Sequence, residues 1–243
     1  MSSKPEIILT EKTNLKNHVL IEGFPGVGLV GTIAAGYIIE KCKMKPIGHI
    51  ISDKFPPIAT VHNGVPYFPA RIYKHPTKDF AVLIAEFVMP INLIYPLSAA
   101  ILEFAKKNKM RQIVSLGGMT AEETKTPKIF AIASNEEMAN FLKYKNIPLI
   151  NEGVTTGISG ILTAMCFADK YPAMSLLVES TTYPDPRASA ILLKKLSSII
   201  GLEVEVNALL KEAEIIENNV KKIMNHIKKS KEIDSEQYPL MYE

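Results

Sequence analysis

Cysteine is scarce in this chain: Cys42 and Cys166 are the two among 243 residues, and they stand far apart. That excludes a disulfide scaffold and implies reduced thiols. No apolar run reaches the roughly 18–20 residues of a membrane span, and no basic-then-apolar leader opens the sequence. Neither charge sign dominates. The 28 Lys+Arg and 25 Asp+Glu leave a net charge of +3, too small and too mixed to imply a nucleic-acid or membrane partner. The expected compartment is the cytoplasm. At 47% hydrophobic and 22% charged, the composition is that of a soluble globular protein with enough length for a large core.

The chemical inventory is equally thin. The five histidines (His18, His49, His62, His75, His226) show no paired ligand spacing, and neither cysteine sits in Cys-x-x-Cys, so no metal is expected. Ser115 lies in an apolar run without the glycine-x-Ser-x-glycine elbow of a hydrolase. Glu86, Glu122–Glu123, Glu179 and Asp185 follow or flank apolar runs. Carboxylates there more often cap helices or pair with lysine than act as bases. No nucleophile and base can be paired, so no catalytic residue is expected.

What is present is an alternation of short apolar runs and helical periodicity. His18–Glu22 reads as a strand ending at Gly23-Phe24-Pro25-Gly26-Val27-Gly28. A helix follows, with Leu29, Ile33, Tyr37 and Ile38 on one face, then a strand at Ile47–Ile51. Strand, glycine turn, helix and strand make a βαβ unit with parallel strands. Between Phe55 and Pro76 five prolines and Asn63-Gly64 mark a hairpin, with arms Ile58–His62 and Tyr67–Tyr73. Phe80–Ala85 is apolar on both faces, as in a central strand. Helix 92–107, strands Gln112–Leu116 and Lys128–Ala133, helices Glu136–Lys145 and Ile158–Lys170, strand Ala173–Glu179 and helix Pro186–Ile200 complete an α/β order with a mostly parallel sheet flanked by helices.

Leu202, Leu209, Ile216 and Ile223 then repeat every seven residues, with Val206, Ala213, Val220 and Ile227 four residues behind each. Such an a/d seam packs a helix on its own domain or joins it to another copy, and spacing alone leaves both open. Residues 1–228 are expected to form one domain. The polar stretch 229–243 reads as a flexible tail, yet it closes on the apolar, aromatic cluster Tyr238-Pro239-Leu240-Met241-Tyr242-Glu243.

Glycine groups suggest a ligand crevice. Gly26-x-Gly28-x-x-Gly31 has the letters of a dinucleotide fingerprint after a strand and at a helix start, and Asp53 falls where a ribose-binding acid belongs. Glycines at such a turn also serve close helix–strand packing with no ligand. No Gly-Lys-Ser/Thr follows, which excludes a Walker A loop. Gly117-Gly118 and Gly153–Gly160, with Gly157 and Gly160, read as further loops at the same sheet edge, where α/β proteins bind ligands. A nucleotide-binding enzyme or sensor is therefore the alternative reading. A general holdase using the aromatic hairpin around Tyr67-Phe68 and Tyr73 is a third.

Glu22-Gly23-Phe24-Pro25-Gly26-Val27-Gly28-Leu29-Val30-Gly31 resembles the hallmark of the proteasome assembly chaperone family, especially its archaeal homologues. Gly117-Gly118, Gly157-Ile158-Ser159-Gly160 and Tyr183-Pro184-Asp185-Pro186-Arg187-Ala188 are similar as well, so the resemblance covers about residues 10–228. It implies a phosphorylase-like α/β domain without established catalytic activity or cofactor. Met241-Tyr242-Glu243 resembles the hydrophobic–Tyr–any tripeptide with which proteasome activators insert between α-subunits of the 20S ring. The resemblance thus implies an ATP-independent activator or assembly chaperone that docks on the α-ring through this tail. It also implies a homo-oligomer, a tetramer being favoured.

Overall fold

The computed structural model describes residues 4–121, 126–181, 184–202 and 204–211. Its centre is an eight-stranded sheet. In chain order the strands are β1 (Glu6–Leu9), β2 (Val19–Gly23), β3 (Lys45–Ile51), β6 (Ala70–Lys74), β7 (Phe80–Ala85), β8 (Gln112–Thr120), β9 (Ile129–Ala133) and β10 (Ala173–Ser180). β4 (Thr60–His62) and β5 (Val65–Tyr67) form a separate two-stranded hairpin. The spatial order is β1-β3-β6-β7-β2-β8-β10-β9. The four central strands β7, β2, β8 and β10 are parallel, and the flanking pairings are antiparallel.

Helices α1 (Val30–Lys41), α3 (Glu136–Tyr144) and α5 (Pro186–Ile200) cover one face; α2 (Ile94–Lys107) and α4 (Gly157–Ala168) cover the other. Both faces of the central strands are therefore dry, which is why their sequences lack a polar alternation. On β2, Val19 and Ile21 enter the first core while Leu20 enters the second. On β7, Val82 and Ile84 face one side, Ala81 and Leu83 the other. Each fully buried Leu or Ile contributes about 1.5–3 kcal/mol by leaving water.

Local signals set the helix ends. Asn135 caps α3 by accepting the Met138 N–H at 2.9 Å, and Asp185 caps α5 by accepting that of Ala188 at 2.8 Å. Pro186 opens α5, where no N–H is missed, and Gly201 closes it at φ 64°. β2, β3 and the parallel strands point the same way, as the βαβ reading implies. Yet β6 and β7 lie between β2 and β3, because the chain returns through the hairpin and fills the gap.

The expected second hairpin arm, Tyr67–Tyr73, is two strands instead of one. Pro69, lacking an N–H, separates β5 from β6, and β6 joins the main sheet between β3 and β7. Asn63 and Gly64 sit at φ 51° and 78°, both left-handed, as a two-residue hairpin turn demands. β1 went unread because four residues beginning with an exposed glutamate give no period to detect. The strand read as Gln112–Leu116 runs on to Thr120, so Gly117 and Gly118 lie within β8 and not in a loop after it. β10 pairs with it along its full length, Ala173 opposite Ile113 through Ser180 opposite Thr120. Gly157 and Gly160, read as a loop, form the first turn of α4.

Candidate functional site

The parallel strands end, and α1, α2, α4 and α5 begin, at one end of the sheet. The glycine groups meet there, and their closeness is backbone on backbone. A Cβ on Gly31 would lie 2.2 Å from the Leu116 carbonyl oxygen, and one on Gly118 would lie 2.3 Å from that of Val27. One on Gly23 would lie 2.5 Å from both the Ala35 Cβ and the Gly31 oxygen. α1 is thus pressed onto β2 and β8, as the third glycine of a dinucleotide fingerprint also requires; the space beside Gly28, where a pyrophosphate would approach, is taken by Ser180, whose Oγ lies 2.2 Å from where a Gly28 Cβ would be. Gly28 adopts φ 63°, and its carbonyl accepts the Asp185 N–H at 2.8 Å, tying this turn to the start of α5. Gly117 faces the Leu177 side chain, and Gly160 packs on Thr155. Gly26 and Gly157 have open space where a Cβ would be. The predicted glycines therefore share one end of the sheet, with close packing accounting for Gly28, Gly31, Gly118 and Gly160.

A carboxylate lies beneath this turn. Glu22, the fourth residue of β2, has no solvent exposure. Its Oε1 accepts the Phe24 N–H at 2.8 Å, and the Ser159 hydroxyl of α4 donates to Oε2 at 3.1 Å. Ser115 is its neighbour in the parallel register of β8. Burial pushes the Glu22 carboxyl above its ordinary range, and the nearby Ser115 hydroxyl with the Phe24 and Ser159 hydrogen bonds opposes without reversing that shift. Among the described residues no cation contributes. Sequence reasoning passed over Glu22 as part of an apolar run. The available signal was a lone acid inside a strand otherwise dry on both faces.

The second polar cluster fastens the hairpin. Arg71, on β6, is 4% exposed. One of its terminal nitrogens donates to Thr60 Oγ1 at 2.7 Å and to the Phe68 carbonyl at 3.1 Å, and the other donates to Glu86 Oε2 at 2.7 Å. His62 Nε2 stands 3.0 Å from Glu86 Oε1 and 3.1 Å from the Arg71 Nη2. It donates to the former when protonated there and accepts from the latter when bare. Burial would raise the Glu86 carboxyl, but hydrogen bonds from Thr60 and His62 together with the Arg71 charge bring it below its ordinary range. The guanidinium also lies over the Tyr67 and Tyr73 rings, at 5.2 and 5.8 Å. The hairpin is therefore held by β6 and the end of β7, while Ile58, Val61, Val65 and Phe68 stay exposed.

The remaining candidates take structural roles. Asp185 caps α5 and accepts the Ser180 hydroxyl at 2.9 Å; Glu179 accepts the Lys128 N–H at 2.9 Å. Glu122 and Glu123 lie outside the described residues. Asp53 is exposed just after β3. Burial, and secondarily Asp169, push the Cys166 thiol up to about 12, so it is not a poised nucleophile. Among the described residues no group of three or more His, Cys, Asp or Glu side chains is placed to hold a metal, and no helix is long and apolar enough to cross a membrane. Surface cavities of about 450, 470 and 340 Å³ lie beside α1 and residues 204–211, in the α2–α4 groove, and near Arg111 and Lys78; none of these is lined by the glycine turns.

Leu202, Val206 and Leu209, which open the heptad pattern, are buried in the first core, and the Tyr37 hydroxyl donates to the Glu205 carbonyl at 2.6 Å. The start of the seam thus packs on its own domain. Its continuation from Ala213 to Ile227, and the tail with Met241, Tyr242 and Glu243, lie outside the described residues.

Comparison with known proteins places this architecture. PbaA of Pyrococcus furiosus, described as an archaeal homolog of proteasome-assembly chaperone, is 31% identical, with 99% of this chain and 100% of that one covered at a TM-score of 0.84. PbaB of the same organism, described as an archaeal proteasome activator, shares the fold at 24% identity and a TM-score of 0.80, covering 92% of this chain and 100% of that one. An uncharacterised protein of Methanocaldococcus jannaschii is 35% identical over 230 residues, 94% of each chain. The PAC2 family profile matches residues 20–224, a span that holds the glycine-closed turn, the buried Glu22 and the Arg71-held hairpin. The chain belongs to the PAC2 family.

Proposed function

We propose that this protein is a non-enzymatic, ATP-independent proteasome-binding protein of the cytoplasm, acting as an activator or an assembly chaperone. The observation that carries this reading is the 31% identity, over essentially the whole length of both chains, to an archaeal homolog of proteasome-assembly chaperone. In this reading the chain is a homo-oligomer, with a tetramer favoured, and docks on the α-ring of the 20S particle through Met241-Tyr242-Glu243. The residue types suit that task. A terminal carboxylate pairs with a lysine, while the penultimate tyrosine fills an apolar slot and hydrogen-bonds through its hydroxyl. Residues from Ser230 to Glu243 span at most about 45–50 Å when extended. One such tail binds weakly because ordering it costs conformational entropy, and several tails on one oligomer multiply the affinity.

The test is a pull-down of 20S proteasome with the full chain, the Tyr242→Ala variant and a form lacking Met241–Glu243. Loss of binding in both variants supports the docking element, and peptidase assays then separate gate opening from assembly. Undiminished binding in both moves the interface to the folded body. The nucleotide alternative at Gly26–Gly31 has no comparable support, since Ser180 fills the space beside Gly28 and the start of α5 is bonded to its carbonyl.

A further inference from the structure

We propose that Glu22 is a proton-dependent latch on the start of α4: the neutral carboxyl holds the first turn of that helix against the sheet, and loss of the proton favours its release. Nothing in this latch depends on the proteasome reading above.

α4 is held differently from its neighbours. α3 and α5 open on the side-chain caps Asn135 and Asp185, but Thr156 before α4 makes no capping bond. Residues 151–156, which lead into it, are all exposed. Gly157 turns at φ 78° with open space around it, a joint that other residues enter only with strain. Within the first turn, the Ser159 hydroxyl donates to Glu22 Oε2 at 3.1 Å and so ties the helix to β2. Leu162 and Cys166 are fully buried further along, which confines lifting to the first turn.

The footing beneath α4 is polar where the opposite face of the same strands is not. On that opposite face, β8 and β10 give Val114, Leu116, Met174, Leu176 and Val178 to the first core. On the α4 face they alternate to Ser115, Gly117 and Ser175. Glu22, Ser115 and Ser175 are neighbours in register across β2, β8 and β10, so they make one row. The Ser115 and Ser175 hydroxyls are buried, and neither has a hydrogen-bond partner among the described residues. Hydroxyls so placed are unfavourable until water or another polar group reaches them.

Charge makes the row a switch. Around the carboxyl stand the Phe24 N–H, Leu83 of β7, Ser115 of β8 and Ser159 of α4. Along the same core the Cys166 thiol and the Tyr171 hydroxyl are both pushed up to about 12 and stay neutral. α2, packed beside α4, turns Leu97, Ser98 and Ile101 inward and keeps Glu103, Lys106 and Lys107 at the surface. An ionised Glu22 in the closed fold therefore has dipoles but no counter-charge around it, and burial outweighs those dipoles. When the first turn of α4 lifts, water reaches the carboxyl and the charged form becomes the stable one. Opening thus becomes easier by up to about tenfold per pH unit from about 4.5 until the folded carboxyl itself ionises, and then levels off.

The experiment is amide hydrogen exchange on the full chain over a series of pH values, read by mass spectrometry and corrected for intrinsic rates. Amides 160–163, whose helical bonds close the first turn of α4, should exchange through a local opening. They should be about tenfold or more less protected than β7. Their protection should fall with pH by up to about tenfold per unit across that window, while α3, whose opening leaves Glu22 covered, shows no such slope. Glu22→Gln, neutral at every pH, should remove the slope. Ser159→Ala cuts the latch from the other side and should lower protection of 160–163 roughly fivefold or more at low pH. Amides 160–163 as protected as β7 at every pH would overturn the latch, since they would then open only with the whole fold. A wild-type slope that is flat, or one that survives in Glu22→Gln, overturns it as well, and so does full low-pH protection in Ser159→Ala.

Discussion

The two ends of the sheet are built on different principles. Where the parallel strands finish, glycines close the turn between β2 and α1 by direct backbone contact, and Arg71 pairs with Glu86 to hold the hairpin. Where those strands begin, the turns carry Lys41, Lys43, Lys45, Lys78, Lys107 and Arg111, with Asp79 and Asp169 among few acids. His18 and His75 are buried at this end, and His75 Nδ1 accepts the Thr77 and Lys78 N–H groups at 3.2 and 2.9 Å. One end is closed by backbone contact at its glycine turns; the other carries most of its lysines on the turns. A patch of exposed apolar groups persists only where the backbone beneath it is fixed, because a loose apolar loop would collapse or aggregate.

Four substitutions test this contrast. The largest effect is expected for Gly31→Val, whose added carbons have a carbonyl oxygen 2.2 Å from the first of them. Overpacking at backbone contact should cost about 3 kcal/mol or more in urea unfolding. A loss below about 1 kcal/mol would mean that the turn yields. Arg71→Ala comes next, at about 2 kcal/mol, since it strands a partly buried Glu86 and frees the hairpin. Limited proteolysis should then cut between residues 55 and 70, and resistance there would show the hairpin to be held otherwise.

Glu22→Gln acts through pH. The folded-state carboxyl is raised, so the folded chain holds a proton that the unfolded chain releases first. Stability therefore falls as pH climbs from about 4.5 through the raised value, then levels off. Gln preserves the acceptor for the Phe24 N–H and should flatten the denaturation midpoint against pH across that window, with a midpoint at neutral pH no lower than wild type. An unchanged pH slope would mean that Glu22 is charged and solvated. Glu86 has the opposite sign: its lowered carboxyl adds stability above the ordinary carboxylate range and loses it as pH drops through the depressed value. The smallest effect belongs to Lys106→Ala at the charged end. Its pair with Asp169 at 2.9 Å is about half exposed on both sides, so solvent screening holds the loss to about 0.5 kcal/mol or less. A loss above about 1.5 kcal/mol would show that this end is as tightly built as the other.

Much of this contrast was legible before any fold was drawn. Phe80–Ala85, apolar on both faces, announced a central strand, and Asn63-Gly64 announced its hairpin turn. Helix Pro186–Ile200 was read at its observed bounds, and its caps Asp185 and Gly201 came with the structure. The glycine site was read only halfway. Letters at Gly26, Gly28 and Gly31 fit a phosphate cradle as well as a packing turn, since both demand a missing Cβ. What separates them is the neighbour of Gly28, where Ser180 takes the space a phosphate would need. Arg71 was not read at all, because its partners Thr60 and His62 of β4 and Glu86 after β7 are brought to it by the fold and related by no periodicity.

The sequence by itself determined the alternation of elements, the ends of the helices and the family hallmark, because each depends on neighbours along the chain. The tertiary structure decided the rest. It set β6 and β7 between β2 and β3, buried Glu22 under α4, closed the glycine turn on β8 and fastened the hairpin through Arg71. Those outcomes depend on contacts between residues tens of positions apart, where distance in space, not order in the chain, sets the energy.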